Sequence, residues 1–423
     1  MARTVRLALY TFALLLCGSI SLTGAQEQSD PEVAATRAYR EKNYPAFLEN
    51  VRRLSDRYPR HAEVLEWLAR AYALNGKAGE SLATLDSLAR MGGAPNLDHP
   101  DFALLKGRRE LKRLRAAVRR NAAPKGRSTA AFKLAEKDLI PEGIAYDPVA
   151  DAFYVGSIYR RKIVRVARGG RVTDFTSPRQ DGLLNVLGLR VDAGRRLLWA
   201  CAASGGRDEG GEGSSALFKY DLESGRLIKK YESARDGRKH LFNDIALSSS
   251  GDLFVTDSLS GSVLKLPRAA DALETFIGAD TFIYPNGVAV SGDGRYLFVA
   301  DARGVSRVGL ADKTVRPLAA AGDVSLAGFD GLYWHAGGLI GVQNGFKPVR
   351  VVRVELDRTL GRAVGLRVLE SNNPLFNIPT TGVVARGRFH YIANSQLRSL
   401  DEREAIPSPE SLKEPVILAL PLR

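Results

Sequence analysis

The stretch 286-NGVAVSGDGRYLFVAD-301 decides the fold, because five related stretches accompany it along the chain. Each consists of an apolar strand, a polar turn and a second apolar strand. The other five are EGIAYDPVADAFYVGS (142–157), LGLRVDAGRRLLWACA (187–202), NDIALSSSGDLFVTD (243–257), DGLYWHAGGLIGVQN (330–344) and TGVVARGRFHYIAN (381–394). Successive copies start 45, 56, 43, 44 and 51 residues apart, and a period of about forty residues is typical of four-stranded propeller blades. Six copies predict a mainly β protein, a six-bladed β-propeller.

The ring of blades is expected to close, because closure removes the exposed edges of its sheets. The runs AAFKLAE (130–136) and PVILALPL (415–422), which flank the six copies, both resemble strands. We expect one of them to complete a blade that the other begins. The propeller is therefore predicted to span residues 130–423.

The segment before the repeats, residues 26–120, carries apolar side chains at helical spacing. Residues 59–92 hold two helical stretches joined at Asn75-Gly76 and resemble a tetratricopeptide unit. The stretch HPDFALLKGRRELKRL (99–114) is expected to form one helix that closes the array. We predict a small α-helical, tetratricopeptide-like domain, linked to the propeller by residues 121–129. It either offers a groove to a protein partner or packs on the propeller.

The first 25 residues have the layout of a secretory signal peptide. Arg3 and Arg6 precede an apolar run, and Thr23-Gly24-Ala25 offers a cleavage site. An uncleaved anchor and a lipoprotein attached at Cys17 are the alternatives, although a leucine precedes that cysteine where a small residue is wanted. We expect an exported protein, periplasmic or secreted, whose mature chain has no transmembrane segment and one cysteine, Cys201.

The formal charge of +14 raises the question of nucleic-acid binding. Ten Lys/Arg lie within residues 106–127 beside one acid, Glu110, whereas residues 128–423 carry 39 basic and 34 acidic side chains. No aromatic residue interleaves with the basic ones, so a stacking platform for single strands is missing. We interpret the basic segment as a solvated helix face and expect no specific nucleic-acid partner, a phosphate or membrane surface being the alternative.

The residues that start the six copies are expected to meet at one end of the channel, because the first strand of each propeller blade lines it. Four of the six bear carboxylate or amide oxygens, with a formal charge of −2, and such oxygens suit a hard divalent cation, most of all calcium. None is His or Cys, which argues against zinc or copper. The six are Glu142, Leu187, Asn243, Asn286, Asp330 and Thr381. Ordinary turn chemistry at Asn-Gly and Asp-Gly is the alternative.

The second strands of the copies end at the same face of the propeller. Their last residues either support the first set as a second shell or cap strand ends. These residues are Ser157, Asp257, Asp301, Asn344 and Asn394.

The segments PEG (141–143), FND (242–244), PNG (285–287) and FDG (329–331) resemble those of the gluconolactonase/regucalcin-like six-bladed propellers. Paraoxonases and diisopropylfluorophosphatase-type enzymes are similar. The resemblance covers roughly residues 130–422 and implies calcium-dependent hydrolysis, most often of lactones. It implies a catalytic divalent metal, most often calcium, with four ligands: Glu142, Asn243, Asn286 and Asp330. It also makes Asp330 the candidate catalytic base, a pure ligand role being the alternative.

The sequence departs from that family at two positions. Leu187 stands where paraoxonase-like members have a catalytic His, and Lys239 with His240 stands where gluconolactonase-like members use an Arg for a sugar substrate. Candidate substrate contacts are Asn185, His240 and Thr381. We expect an exported calcium-dependent hydrolase that opens a lactone or related ester. The alternative is a non-catalytic propeller with a structural calcium and a helical arm that recruits a protein partner.

Overall fold

The computed structural model describes residues 30–205, 213–401 and 403–422. The predicted signal peptide, residues 1–25, lies outside the described residues, as does Cys17. Within the described ranges, no helix is both long enough and apolar enough to cross a membrane.

Six separate sheets confirm the predicted six-bladed propeller. We number the blades along the chain and give their strands from the channel outwards. Blade 1 holds β2 (Pro141–Asp147), β3 (Ala152–Ser157), β4 (Ile163–Val166) and β5 (Val172–Asp174). Blade 2 holds β6 (Asn185–Asp192), β7 (Leu197–Ala203), β8 (Ser215–Asp221) and β9 (Leu227–Glu232). Blade 3 holds β10 (Phe242–Leu247), β11 (Leu253–Asp257), β12 (Ser262–Leu266) and β13 (Glu274–Ile277).

Of the remaining blades, blade 4 keeps the four-strand pattern, whereas blades 5 and 6 depart from it at their outer edges. Blade 4 holds β14 (Val288–Val290), β15 (Tyr296–Asp301), β16 (Gly304–Gly309) and β17 (Val315–Pro317). Blade 5 holds β19 (Leu332–His335), β20 (Gly338–Gln343), β21 (Arg350–Leu356), β22 (Arg362–Ser371) and a short fifth strand, β18 (Ala319–Ala320), parallel to β22. Blade 6 holds β23 (Gly382–Ala385), β24 (Arg388–Ile392), β25 (Val416–Pro421) and β1 (Thr129–Lys133).

The two ends of the propeller chain pair in blade 6, as the sequence predicted. Strand β1 is the outermost strand and runs antiparallel to β25, with Thr129 opposite Ala419. Strand β25 also pairs with β24, where His390 lies opposite Ala419. The C-terminal strand therefore joins the start of the propeller chain to its last blade.

The hydrophobic core lies between neighbouring blades rather than at one centre. Every residue of β3 and β7 is buried, whereas every residue of β5, an outermost strand, is exposed. Middle strands are apolar on both faces because a blade is covered on each side by the next one. A cluster between blades 3 and 4 shows the pattern, with Phe254 and Val263 packed against Val288 and Leu297.

The predicted helical region forms an arm of antiparallel helices, which we call the helical arm. Its helices are α1 (Pro31–Arg40), α2 (Tyr44–Arg57), α3 (Ala62–Leu74), α4 (Ala78–Arg90) and α5 (Arg109–Ala122). Helices α3 and α4 meet at Asn75, whose side chain donates to the carbonyls of Tyr44 and Ala71. The tetratricopeptide assignment itself stays a prediction.

The expectation of one closing helix over residues 99–114 was wrong. A 3₁₀ helix, Pro100–Leu105, comes first, and α5 begins only at Arg109. Gly107, with φ of +82°, lies in the break between them, and this left-handed backbone does not fit a helix. Helix α5 runs on to Ala122, two residues into the predicted linker.

The helical arm packs on the loops of blades 4 and 5. Arg60 donates to the carbonyl of Val324 at 3.2 Å, and the Ser325 hydroxyl donates to the carbonyl of Arg60 at 2.9 Å. The buried guanidinium of Arg350 donates to the carbonyl of Met91 at 2.8 Å. Of the two roles left open for this arm, packing on the propeller is therefore present. A protein partner stays an expectation.

Other short 3₁₀ turns lie in connecting loops: Lys137–Leu139, Gln180–Gly182, Leu397–Ser399 and Pro409–Ser411.

Removing β25 is expected to abolish cooperative folding, because the ring then ends in two unpaired sheet edges. A chain ended after Glu414 lacks the whole strand, and a control ended after Pro421 keeps it. Thermal unfolding followed by circular dichroism should show no cooperative transition for the first chain and an unchanged midpoint for the second. A normal transition in the shorter chain would show that closure is dispensable.

Candidate metal site at the mouth of the propeller channel

The innermost strands surround the channel in blade order. Strand β2 contacts β6, which contacts β10, and the series continues through β14, β19 and β23 back to β2. The six residues predicted to form a ring lie at or just before the starts of these strands. We call this end of the channel the mouth.

Glycines allow the main chains of adjacent inner strands to lie in contact at the ring. A Cβ added to Gly143 would lie 1.9 Å from the carbonyl oxygen of Leu187 in the next blade. At Gly188 it would lie 2.5 Å from the Asn243 oxygen, and at Gly287 2.3 Å from the Asp330 oxygen. No side chain fits at such distances, so the glycine after each of these ring positions serves the joint between blades rather than a turn alone.

Hydroxyl groups complete the ring at the other joints. Thr256 donates to the carbonyl of Asn286 at 2.8 Å, and Gly382 donates its N–H to the Tyr333 hydroxyl, also at 2.8 Å. Thr380 and Thr381 both donate to the carbonyl of Glu142, which joins blade 6 to blade 1. The predicted ring is thus continuous through main-chain contacts.

The four oxygen-bearing ring side chains are buried at this mouth. Glu142 and Asp330 are each 1% exposed, Asn243 is 2% exposed and Asn286 is 7% exposed. Among the described residues, no hydrogen-bond partner is found for either carboxylate oxygen of Glu142, for Oδ1 of Asn286 or for Oδ1 of Asp330. Buried polar atoms are almost always satisfied in native proteins, so four acceptors without donors at one place call for a ligand.

The pKa values of the two carboxyl groups respond to this setting. Burial raises the pKa of Asp330 to about 7, and the charge of Asp244 adds to the rise, whereas hydrogen bonds from Asn344 and Asn286 oppose it. Burial also raises the pKa of Glu142 well above its usual range, with the charge of Asp330 second. A cation between the two groups would reverse both effects by stabilising the ionised forms.

The donor set consists of oxygens alone. In the part of the chain that the structure describes, no three His, Cys, Asp or Glu side chains gather as a metal cluster. The candidate set instead combines two carboxylates with two amides, all buried. Carboxylate and amide oxygens with unsatisfied lone pairs fit a hard cation such as calcium.

Two neighbouring side chains hold the candidate ligands in place. Asn344 donates to Oδ2 of Asp330 at 2.6 Å and to the carbonyl of Pro379 at 3.1 Å. Ser258 accepts from Nδ2 of Asn243 at 2.9 Å and donates to the carbonyl of Pro285 at 2.5 Å. Since Nδ2 of Asn243 is engaged, its Oδ1 is left to act as the ligand atom.

The other residues at the ends of the second strands bind main-chain groups. Asp257 accepts from the N–H of Leu241, Asp301 from the N–H of Ile283, and Asn394 from the N–H of Val416. The Ser157 hydroxyl donates to the carbonyl of Leu139. Among the five residues, only Asn344 has a described hydrogen bond to a ring side chain.

The candidate substrate residues already have partners in the protein. Nδ1 of His240 lies 2.5 Å from Asp257 and Nε2 lies 3.1 Å from Asp236. The hydrogen bond that His240 donates to Asp257 raises the pKa of His240 above its usual value. Asn185 is buried and binds Glu404, and the Thr381 hydroxyl is engaged at the blade joint. A substrate role for these three stays a prediction.

Sequence reasoning missed several residues of the site. Asp244 directly follows Asn243, but its carboxylate is bound by the main chain of two inner strands. It accepts from the N–H of Ile245 at 2.8 Å and from the N–H of Val288 at 3.4 Å. Burial raises its pKa to about 6. The sequence does contain a signal for this orientation, because successive side chains along β10 alternate in direction and Asp244 therefore points away from Asn243. Ser258 was missed because the predicted supporting residues were the last residues of the second strands, and Ser258 directly follows one of these, Asp257.

Two parts of the chain lie over the mouth. On the blade 4 and 5 side, Ile283 and Ala302 pack on the core of the helical arm. On the blade 1 to 3 side lies the loop between β24 and β25, residues 395–401 and 403–414, which we call the cover segment. Its Leu397, Leu400 and Leu412 are buried in one cluster with Leu187. The mouth is therefore covered from both sides.

Two cavities lined by described residues lie away from the four candidate ligands. One cavity of about 210 Å³ is lined by Arg190, Tyr333, Trp334 and other residues of the inner strands. These residues follow the ring positions by two to four residues, toward the other end of the channel. A cleft of about 610 Å³ lies between the helical arm, at Pro59 and Arg60, and blades 4 and 5.

The fold resembles those of several solved six-bladed propellers. A gluconolactonase from Xanthomonas campestris is 17% identical with a TM-score of 0.48, over 70% of this chain and 94% of that one. The calcium-binding protein regucalcin from Agrobacterium tumefaciens strain C58 is 18% identical with a TM-score of 0.47, over 70% and 96%. The PQQ-bound aldose sugar dehydrogenase from Streptomyces coelicolor is 16% identical with a TM-score of 0.47, over 70% and 99%. These likenesses concern the fold alone.

Sequence comparisons reach less far. No family model matches the chain. The uncharacterised protein YncE of Escherichia coli strain K12 is 20% identical in an alignment of length 204 that covers 39% of this chain. The chain spans 55% of that relative's length.

Replacing Asn344 by alanine is expected to weaken calcium binding by roughly 10- to 100-fold, because a residue that orients a ligand typically contributes that much to metal affinity. Asn394→Ala is the matched control, since Asn394 occupies the same strand position one blade on but binds Glu414 and Val416. Calorimetric titration should show the loss for Asn344→Ala alone. Equal affinity in the two variants would contradict the assigned role.

Proposed function

We propose that this chain is a calcium-dependent hydrolase that opens a lactone or a related ester at the mouth of its propeller channel. The observation that carries the proposal is the group of four unpartnered, buried oxygens on Glu142, Asn286 and Asp330. With Asn243, these residues would hold the metal. The family resemblance of the four segments that contain them supports the same reaction class.

The residues of the site have distinct tasks in this reaction. A bound calcium ion supplies Lewis-acid polarisation of the substrate carbonyl and stabilisation of the negative charge that develops on its oxygen. Asn344 holds Asp330 through Oδ2 and so orients this carboxylate, a candidate metal ligand, to accept the proton of the attacking water. The water oxygen bonds to the carbonyl carbon, the ring C–O bond breaks, and Asp330 returns the proton to the departing ring oxygen, which gives a hydroxy acid.

The presence of Leu187 removes one candidate for the group that accepts the proton of the attacking water. It is fully buried in the ring, where a paraoxonase-like histidine would stand. His240 contacts two carboxylates through its two ring nitrogens. Asp330 and Glu142 are therefore the groups best placed to move a proton.

Export and a protein partner belong to the proposal as well. Export is supported by the basic and apolar pattern of residues 1–25. A partner at the helical arm is supported by the paired helices of the arm and by helix α5, which has a basic and exposed face.

Asp330→Asn is expected to lower kcat for lactone hydrolysis by about 10²- to 10⁴-fold, the usual contribution of a general base. Asn286→Ala is expected to abolish activity at micromolar calcium, because it removes one of four ligands. Asn377→Ala, at an exposed asparagine on the same face, should behave as the unchanged protein. A panel of lactones and aryl esters, assayed with and without a chelator, measures these effects.

The outcomes separate the hypotheses. Activity that is indifferent to chelator and to Asn286→Ala would overturn the metal mechanism. Calcium-dependent thermal stabilisation without turnover of any ester or lactone would favour the non-catalytic scaffold with a structural calcium.

A further inference from the structure

The cover segment is a loop whose two ends meet at one point. The side chain of Gln396 donates to the carbonyl of Lys413 at 2.8 Å and accepts from its N–H at the same distance. A surface loop with closed ends can move as a unit about its neck. Its middle lies over blades 1 to 3, above the buried ring.

One residue of this segment places a charged side chain into the mouth. Glu404 is 1% exposed, and its Oε1 accepts from Nδ2 of Asn185 at 2.7 Å. Its Oε2 lies 3.8 Å from Nη2 of Arg161, which is 2% exposed. Nε of Arg161 in turn donates to Oδ1 of Asn185 at 3.3 Å. A carboxylate thus lies in a pocket formed by an amide and a guanidinium.

The fit around that carboxylate is close. A Cβ added to Gly205 would lie 1.8 Å from Oε1 of Glu404 and 2.4 Å from Nδ2 of Asn185. Amide and guanidinium donors are the usual partners of a carboxylate. A buried ion pair is weak grounds for stability, because desolvation offsets much of the attraction. Stability alone is therefore a weak explanation for this buried pocket.

The pocket lies next to the proposed metal site. Asn185 and the ring residue Leu187 are two residues apart on β6, which corresponds to about 7 Å along a strand. Leu187 contacts the joint glycine that follows Glu142, and the glycine after Leu187 contacts Asn243. The pocket and the candidate metal ligands Glu142 and Asn243 therefore lie on adjacent inner strands at the same end of the channel.

We propose that Asn185 and Arg161 form a carboxylate-binding subsite beside the metal site, and that Glu404 occupies it from within the chain until a carboxylate-bearing substrate or product takes its place. The inference rests on the proposed function for the identity of that ligand, since lactone opening yields a hydroxycarboxylate. The cover segment then acts as a built-in competitor, and the substrate class is a lactone or ester whose acid product carries a free carboxylate.

Tethering makes this competition strong. A group held by a flexible link has an effective concentration in the range of about millimolar. A free carboxylate must compete with that, so the intact protein should bind it weakly. Removal of Glu404 should expose the subsite and tighten binding at least tenfold.

The test is a rescue of Glu404→Ala by an added ligand. The probe is 4-hydroxybutyrate, and its neutral amide, 4-hydroxybutyramide, serves as the matched compound. With chelator present and no lactone, 4-hydroxybutyrate should raise the thermal midpoint of Glu404→Ala in a saturable way and bind it at least tenfold more tightly than the intact protein. The amide should have no such effect.

Variants distinguish the subsite from general ion binding. Glu410→Ala, at an exposed glutamate of the same segment, should show no rescue, and Asn185→Leu combined with Glu404→Ala should lose it. If Glu404→Ala does not fold alone, its refolding yield with the carboxylate and with the amide is compared, and Glu404→Gln is titrated by calorimetry. Equal responses to carboxylate and amide, or equal rescue of Glu410→Ala, would overturn the proposal. Because the readout needs neither metal nor turnover, it is independent of the hydrolase assay.

Discussion

The close approach of adjacent inner strands is the constraint on which the rest of the structure depends. At three joints the carbonyl oxygen of one ring residue lies where any Cβ on the preceding blade would stand. Only glycine permits this distance, and threonine and tyrosine hydroxyls bridge other joints. The channel is narrow for this reason, so side chains at the strand starts converge on a small volume.

That convergence has an electrostatic consequence. Two carboxyl groups and two amides become buried together, with four oxygens that no donor of the described residues satisfies. Burial raises the pKa values of both carboxyl groups, and each charge opposes ionisation of its neighbours. Such an arrangement costs stability unless a cation is bound, so the site is explained by function rather than by folding.

The mouth owes its shape to parts of the chain that are remote from the repeats. The helical arm fixes the loops that precede Asn286 and Asp330, through contacts such as that of Arg60 with Ser325. The cover segment lies on the opposite side and brings Glu404 to Asn185. Two segments outside the inner strands therefore cover the candidate metal site.

The sequence by itself determined the six blades, the pairing of both propeller ends and the ring of six residues, because a repeated register places equivalent residues at equivalent points of a closed fold. It also located the paired helices. Tertiary structure alone decided the rest. Asn344 rather than Asn394 supports a ligand, Asp244 binds main-chain N–H groups, and Arg161 meets Glu404 across 243 residues of chain. Such contacts follow from packing between segments that share no period, so no pattern along the chain records them.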